Sequence, residues 1–283
     1  MRVYEIPEGS KTSKGRAIQN LINIEQDDKV KAFICTQDLK DEDYTNSHYV
    51  IMATKKGQVK KTSLEQYSRP RTNGINAITI KEEDELLEAK LTTGESQVML
   101  ALKSGKAIRF EEAKTRPMGR GASGVRGITL AHEADEVIGM IAVDDMESNI
   151  LVVSENGYGK RSSLEDYRIT NRGGKGVKTI SITDKTGNLV SIKNVTDEDD
   201  LMIINKSGVA IRLAVENLRV MGRATQGVRL INLKGNDSIA AVAKVMREDE
   251  EEIEAIEGLA EEGAEATKTA EVDGKTNNSQ EEE

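Results

Sequence analysis

The chain repeats itself, and the period of the repeat is the strongest constraint on its fold. Four segments share one plan: YVIMATKKGQVKKTSLEQY from Tyr49, VMLALKSGKAIRFEEAK from Val98, ILVVSENGYGKRSSLEDY from Ile150 and LMIINKSGVAIRLAVENL from Leu201. Each is an apolar run, a turn carrying Gly57, Gly105, Gly157 or Gly208, and a second run; these glycines lie 48, 52 and 51 residues apart. Lys-Gly and Asn-Gly dipeptides between strand-like runs predict hairpins, because glycine accepts the positive φ that such turns require. A second series is interleaved with the first: Gly15, Gly74, Gly124, Gly176 and Gly227, spaced by 59, 50, 52 and 51 residues. After each of these a strand is expected, then an acidic turn such as EEDEL or HEADEV, then another strand such as VIGMIAV or IAAVAKV. The larger first spacing is accounted for by the polar insertion TQDLKDEDYTNSH.

One unit is therefore about 50 residues with four strands, the size of a propeller blade. A lone four-stranded blade cannot bury both faces, so blades must stack around an axis. The first unit is incomplete, since RVY near Met1 resembles only the tail of a second hairpin strand. The expected fold is all-β, a propeller over residues 1–246.

Composition agrees: three prolines, 24 glycines, no tryptophan and few aromatics favour strands joined by glycine turns. The single cysteine, Cys35, cannot form an intrachain disulfide, and no Cys/His cluster has metal-ligand spacing, so a reducing cytoplasm and no metal are expected. No apolar run approaches the roughly 20 residues of a membrane span. The formal charge of −9 is uneven: residues 247–283 hold fifteen acidic and three basic residues, a net of −12, which leaves +3 for residues 1–246. A tail of that composition is expected to be disordered. It is either a solubilising tail or an internal competitor for what the basic body binds, and truncation after Met246 is then expected to tighten that binding.

The repeat allows equivalent positions to be compared within one chain. Four places after each turn glycine stands a base: Lys61, Arg109, Arg161 and Arg212. Glu65, Glu112, Glu165 and Glu216 lie nearby, so cross-strand ion pairs on a solvated face are one account of these bases. Four places before the loop glycine come Lys11, Arg120, Arg172 and Arg223, with Arg71 one place nearer in its own unit. Loops recurring on one rim, each with Arg or Lys, would make a basic belt suited to a polyanion of regular shape. Phosphate contact gives affinity and register without reading sequence. Scarce aromatics argue against stacking of exposed bases, so duplex DNA is preferred to single strands. The candidate DNA-contacting set is Arg16, Lys61, Arg71, Arg109, Arg120, Arg126, Lys160, Arg161, Arg172, Lys175, Lys178, Arg212, Arg223 and Arg229.

The most basic and glycine-rich loop, ITNRGGKGVKTI from Ile169, could instead cradle a nucleotide phosphate. A Walker loop needs G-x-x-x-x-G-K-[ST] before a helix, whereas Lys175 is followed by Gly176 and Val177. A dinucleotide fingerprint must open a helix, and here a strand is expected. The two histidines, His48 and His132, sit in polar turns and suggest no catalytic triad, and the pair Asp144 and Asp145 reads as a solvated turn.

Taken together, RVYEIPEGSKTSKGRAIQNL, FICTQD, MATKKGQVKKTSLEQY, LTTGESQVML, MGRGASGVRGI, SENGYGKRSSLEDY and VMGRATQGVRLI resemble the C-terminal domain of the bacterial DNA gyrase A subunit, over residues 1 to about 246. That resemblance implies a six-bladed variant propeller, the β-pinwheel, in which neighbouring blades exchange strands, here with its first blade incomplete. It implies a domain that binds and bends duplex DNA without making or breaking bonds, located in the cytoplasm on the chromosome. The implied partners are the N-terminal region of the gyrase A protein, which carries the cleaving tyrosine, and the B subunit, which carries the ATP site with its Mg²⁺, in an A2B2 enzyme; no cofactor is implied for this chain. The family's box, Gln-Arg-Arg-Gly-Gly-Lys-Gly, is matched in part: Gly173, Gly174, Lys175 and Gly176 take its last four places and Arg172 its second arginine, while Thr170 and Asn171 depart from it. The resemblance implies that the main box precedes Met1. Two alternatives remain at this point, the corresponding domain of topoisomerase IV and a propeller that serves as a protein-interaction scaffold.

Overall fold

The computed structural model describes residues 3–246 except 11, 12, 23, 25–27, 72 and 236. Lys11 and the acidic tail of residues 247–283 therefore lie outside the described residues. The strands run in chain order as β1 (Tyr49–Thr54), β2 (Gln58–Ser63), β3 (Leu86–Thr92), β4 (Gln97–Leu102), β5 (Lys106–Glu111), β6 (Val125–Arg126), β7 (Val137–Val143), β8 (Asn149–Ser154), β9 (Tyr158–Ser163), β10 (Val177–Lys178), β11 (Leu189–Val195), β12 (Asp199–Asn205), β13 (Ala210–Ala214), β14 (Val228–Arg229) and β15 (Ile239–Met246).

The predicted hairpins form where the repeat places them: β1 with β2, β4 with β5, β8 with β9 and β12 with β13, all antiparallel. In each turn the glycine amide closes a bond to the residue three back, as in Gly57 to Thr54 (3.0 Å) and Gly105 to Leu102 (2.9 Å). The φ angles of the four glycines lie between 78° and 87°, so this is a turn closed by a left-handed residue, the position where glycine has no Cβ to crowd the carbonyl.

The sheets are assembled by exchange. Their orders are β3-β1-β2-β6, β10-β5-β4-β7, β11-β8-β9-β14 and β13-β12-β15. In the first three sheets, the outermost short strand belongs to the next unit along the chain. Thus β6, which follows the second hairpin, crosses back to pair with β2, with Val125 opposite Val59. Strands β10 and β14 repeat this on β5 and β9. Amide bonds from Gly127 to Gly57, Thr179 to Gly105 and Leu230 to Gly157 (2.8, 2.9 and 2.8 Å) fasten each crossing segment to the earlier turn.

Between consecutive sheets lies apolar core. Ile51 and Val59 of the first sheet meet Leu100, Ile108, Phe110 and Met140 of the second. Met99, Ile141 and Val143 of the second meet Ile150, Val152 and Ile192 of the third, and Leu151 and Val153 meet Leu201, Ile203 and Val242 of the fourth. Inner hairpin strands are covered on both faces, which explains near-continuous burial in β4 and β8 where a half-exposed strand would alternate. In the fourth sheet β13 is half-buried to exposed throughout.

The first unit departs from expectation. The segment after Gly15 contains a 3-10 turn, Ile18–Asn20, and residues 28–36 and 75–80 carry no strand. A crossing strand in this fold needs the hairpin of the preceding unit as its partner, and among the described residues no hairpin precedes β1. Apolar residues of this region, Ile34, Leu39 and Tyr44, instead cover the outer face of the first sheet at Val50 and Met52. The polar insertion contains a short helix, α1 (Glu42–Ser47), whose N-cap Asp41 accepts from the Tyr44 amide at 3.1 Å, with Glu42 and Asp43 at the electropositive first turn.

Candidate nucleic-acid interface

The exchanged strands bring the second series of glycine loops side by side along one edge of the stacked sheets. From the Gly74 loop onward, each loop is tied to its successor by the same bond. The amides of Thr79, Thr129 and Ser181 donate to the carbonyls of Ala122, Gly174 and Thr225 (3.3, 2.9 and 3.1 Å). These residues are equivalent under the repeat. The Thr79 and Thr129 hydroxyls add bonds to the Gly121 and Gly173 carbonyls (2.8 and 2.7 Å). Two of the bases predicted four places before the loop glycine reinforce the chain. Arg172 Nη1 donates to the Arg126 carbonyl at 3.1 Å, and Arg223 Nη1 to the Lys178 carbonyl at 2.8 Å. Arg120, at the same place in its loop, is half-buried like these two.

This continuous rim carries the bases of the crossing strands at matching places: Arg126, Lys178 and Arg229 each end a two-residue strand and are exposed, and Lys175 is exposed beside them. Arg71 and Arg16 are also exposed, Arg16 on the first segment outside this chain of bonds. Gly176, Gly124 and Gly227 all have positive φ, and a Cβ on any of them would lie 2.5–2.6 Å from a backbone oxygen of the adjoining hairpin. The box-like stretch Gly173, Gly174, Lys175 and Gly176 is thus held against its neighbours while Lys175 faces solvent. Arg229 is partly engaged: its Nε and Nη2 contact the Tyr158 hydroxyl at 3.2 and 2.8 Å, and that bond lowers the phenol pKa. Lys185, which sequence reasoning missed, lies 5.4 Å from the same ring.

Four of the predicted contacts point inward, and both readings of the base after the turn glycine need correction. Lys61, Arg109 and Arg161 are at most 8% exposed, so they are neither on a solvated face nor on the rim. Each reaches the 3-10 turn of the following unit. Arg109 Nη1 donates to the Leu164 and Tyr167 carbonyls (2.6 and 3.0 Å), Arg161 bonds the Leu218 carbonyl and the Asp197 carboxylate, and Lys61 pairs with the fully buried Glu112 at 3.5 Å. These bases staple one blade to the next. Arg212, in the last hairpin, pairs instead with Asp200 on the adjacent strand of its own sheet at 2.7 Å and stays more open. Lys160 is the fourth inward base, 1% exposed.

The loop over Gly173–Gly176 opens the strand β10 and no helix, which removes the helix N-terminus that a nucleotide phosphate cradle needs. Among the described residues no group of three or more His, Cys, Asp or Glu could hold a metal ion, and no helix is long and apolar enough to cross a membrane.

Comparison with known proteins agrees with this geometry. The family model for the DNA gyrase C-terminal domain, a β-propeller, matches residues 1–37, 48–93, 98–144, 148–196 and 199–246, and so treats the chain as the same five units. The DNA gyrase A subunit of Staphylococcus aureus strain MRSA252 is 44% identical over 278 residues, which is 98% of this chain and 31% of that relative. Its counterpart in strain NCTC 8325 is 43% identical over 281 residues. The chain thus spans 31% of the length of these curated relatives. A solved DNA gyrase A C-terminal domain superposes with a TM-score of 0.74 at 25% identity, covering 87% of this chain and 78% of that one. The C-terminal domain of DNA topoisomerase IV shares the fold, with a TM-score of 0.78 at 24% identity, covering 90% of this chain and 79% of that one.

Proposed function

Because the chain belongs to the DNA gyrase C-terminal domain family, we propose that it binds duplex DNA along the rim of chained loops and bends it, as the non-catalytic C-terminal part of the gyrase A protein. The observation that carries this reading is the recurrence of Arg126, Lys178 and Arg229 at the same place in three consecutive crossing strands, on loops hydrogen-bonded into one rim.

Bases that recur at one place per unit suit a polyanion of regular shape, whose phosphates give affinity and register without sequence reading. Smooth bending of a 20–30 base-pair segment costs about 1–6 kcal/mol, so the path stays curved only if contacts recur along it. The rim contacts are Arg126, Lys175, Lys178 and Arg229, with Arg71 and Arg16 extending the path and Arg120, Arg172 and Arg223 shaping the loops. Wrapped DNA delivers a segment of one handedness to a strand-passage gate, and ATP-driven passage then introduces negative supercoils. The gate's tyrosine belongs to the N-terminal region of the gyrase A protein, and the ATP site with its Mg²⁺ to the B subunit of an A2B2 enzyme acting on the chromosome in the cytoplasm.

The test is topological. Relaxed plasmid is closed by ligase with increasing amounts of this chain, and the linking number is read after deproteinisation. A shift of one sign that grows with protein and disappears at high salt is expected. Binding with no shift would leave a DNA-binding rim that does not wrap its ligand with one handedness, and no binding at low salt would refute the reading.

A further inference from the structure

Beneath the rim lie two ammonium groups that solvent does not reach. Lys60 is 0% exposed and Lys160 1%, and both stand three places after their turn glycines, in the first and third hairpins. Lys60 Nζ donates to the Ala77 carbonyl at 2.6 Å and to the Arg120 carbonyl. Ala77 belongs to the Gly74 loop and Arg120 to the Gly124 loop, so one ammonium joins two consecutive rim loops. Lys160 Nζ donates to the Gly222 carbonyl at 2.6 Å, in the Gly227 loop. In the second hairpin the place is taken by Ile108, whose side chain packs beside Gly174 in the box-like loop. The Gly176 loop is thus held without a lysine.

A buried charge is tolerated only where it is hydrogen-bonded, and here the acceptors are the backbone carbonyls of the loops themselves. The charge is directed inward, and the donors cannot reach a phosphate outside.

We propose that Lys60 and Lys160 are positioning residues for DNA binding, which fix the Gly74, Gly124 and Gly227 loops in their binding shape before DNA arrives; this rests on the rim being the DNA surface. Preset loops lose less conformational freedom on binding, so the lysines raise affinity without touching the ligand. The role also separates Lys160 from the exposed bases with which its charge would group it.

The experiment replaces both residues in the full chain, Lys60→Met and Lys160→Met, singly and together. It measures duplex affinity across a salt series, and amide hydrogen exchange over residues 119–124, 173–176 and 222–227. The double variant is expected to bind about tenfold more weakly, the cost of ordering the freed loops on binding. Its salt slope should equal that of the unaltered chain, because no phosphate contact is removed. Exchange should quicken over 119–124 and 222–227 and stay constant over 173–176. Unchanged affinity and exchange would overturn the proposal, and so would a salt slope smaller by about 0.9 per lysine, which marks direct phosphate contacts. An unaltered chain with no duplex affinity would sink the DNA reading of the rim, while the exchange data would still decide whether the lysines hold the loops. Where the double variant does not fold, the single variants decide: quicker exchange over 119–124 alone in Lys60→Met, or over 222–227 alone in Lys160→Met, supports the proposal, and exchange unchanged in both overturns it.

Discussion

Replacing Gly176 with alanine strikes the point where a crossing strand meets its host sheet. Gly176 lies at φ +70°, and a Cβ there would stand 2.6 Å from the Ala107 carbonyl oxygen and 2.8 Å from its carbon. Both are backbone atoms of β5, paired on either side, and cannot swing away. Gly208 offers the control. Its φ is +87°, and a Cβ would meet nothing within 4 Å. Gly208→Ala therefore isolates the left-handed backbone penalty, about 1–2 kcal/mol. Gly176→Ala adds forced displacement of packed backbone, about 1–3 kcal/mol more, for a total of about 2–5 kcal/mol. Urea unfolding of both variants measures this through the midpoint, with the slope showing whether the unfolding transition itself has changed. Duplex affinity should fall as well for Gly176→Ala, since Lys175 and Lys178 flank the site, and should hold for Gly208→Ala. Equal destabilisation of the two variants would refute the claim that strand exchange rests on this close approach.

Two further outcomes follow from the buried bases. Lys61→Met leaves the fully buried Glu112 without its cation and should destabilise the chain by about 3–5 kcal/mol, measurable by thermal or urea unfolding; a loss below about 1 kcal/mol would mean that the pair is not an inter-blade staple. Burial lowers the Lys160 pKa from 10.5 to about 8, with Arg223 adding to the shift and Asp166 opposing it. The unfolded chain then holds the proton that the folded chain has released between those values, so this group's contribution to stability rises with pH from about 8 to 10.5. Unfolding free energy of the unaltered chain minus that of Lys160→Met should increase over that window, and a flat difference would contradict the lowered pKa.

What the sequence disclosed was whatever its local rules demand. Gly57, Gly105, Gly157 and Gly208 were legible because a tight hairpin needs a left-handed residue at a fixed offset, and Gly15, Gly74, Gly124, Gly176 and Gly227 because the repeat carries that need once per unit; all have positive φ. The direction of the bases was not legible. In the hairpin strands Lys60 and Lys61, or Lys160 and Arg161, are consecutive and point to opposite faces. In an ordinary half-exposed strand one of them would meet water. Here both faces are covered, one by the next unit's 3-10 turn and the other by its crossing loop, so burial depends on a neighbour about 50 residues away. One signal of burial is present in the repeat itself: the third place after the turn glycine alternates Lys60, Ile108, Lys160 and Ile211, and exchange of lysine with isoleucine marks an interior position. The strands expected after Gly15 and Gly74 fail for a related reason, because a two-residue crossing strand has no stability apart from the hairpin that receives it.

The central claim, that exposed bases of the crossing strands hold duplex phosphates, is tested most directly by the salt dependence of binding in a triple variant, Arg126→Gln, Lys178→Gln and Arg229→Gln. Each phosphate contact contributes about 0.9 to the slope of log affinity against log salt, so the slope should shrink by about 2.7 relative to the unaltered chain. Urea midpoints should move little for Arg126→Gln and Lys178→Gln alone, whose side chains are exposed, and any larger shift in the triple variant reports the lost Arg229 bonds to Tyr158. A slope equal to that of the unaltered chain, with the variant folded, would show that the duplex lies elsewhere and would contradict the account.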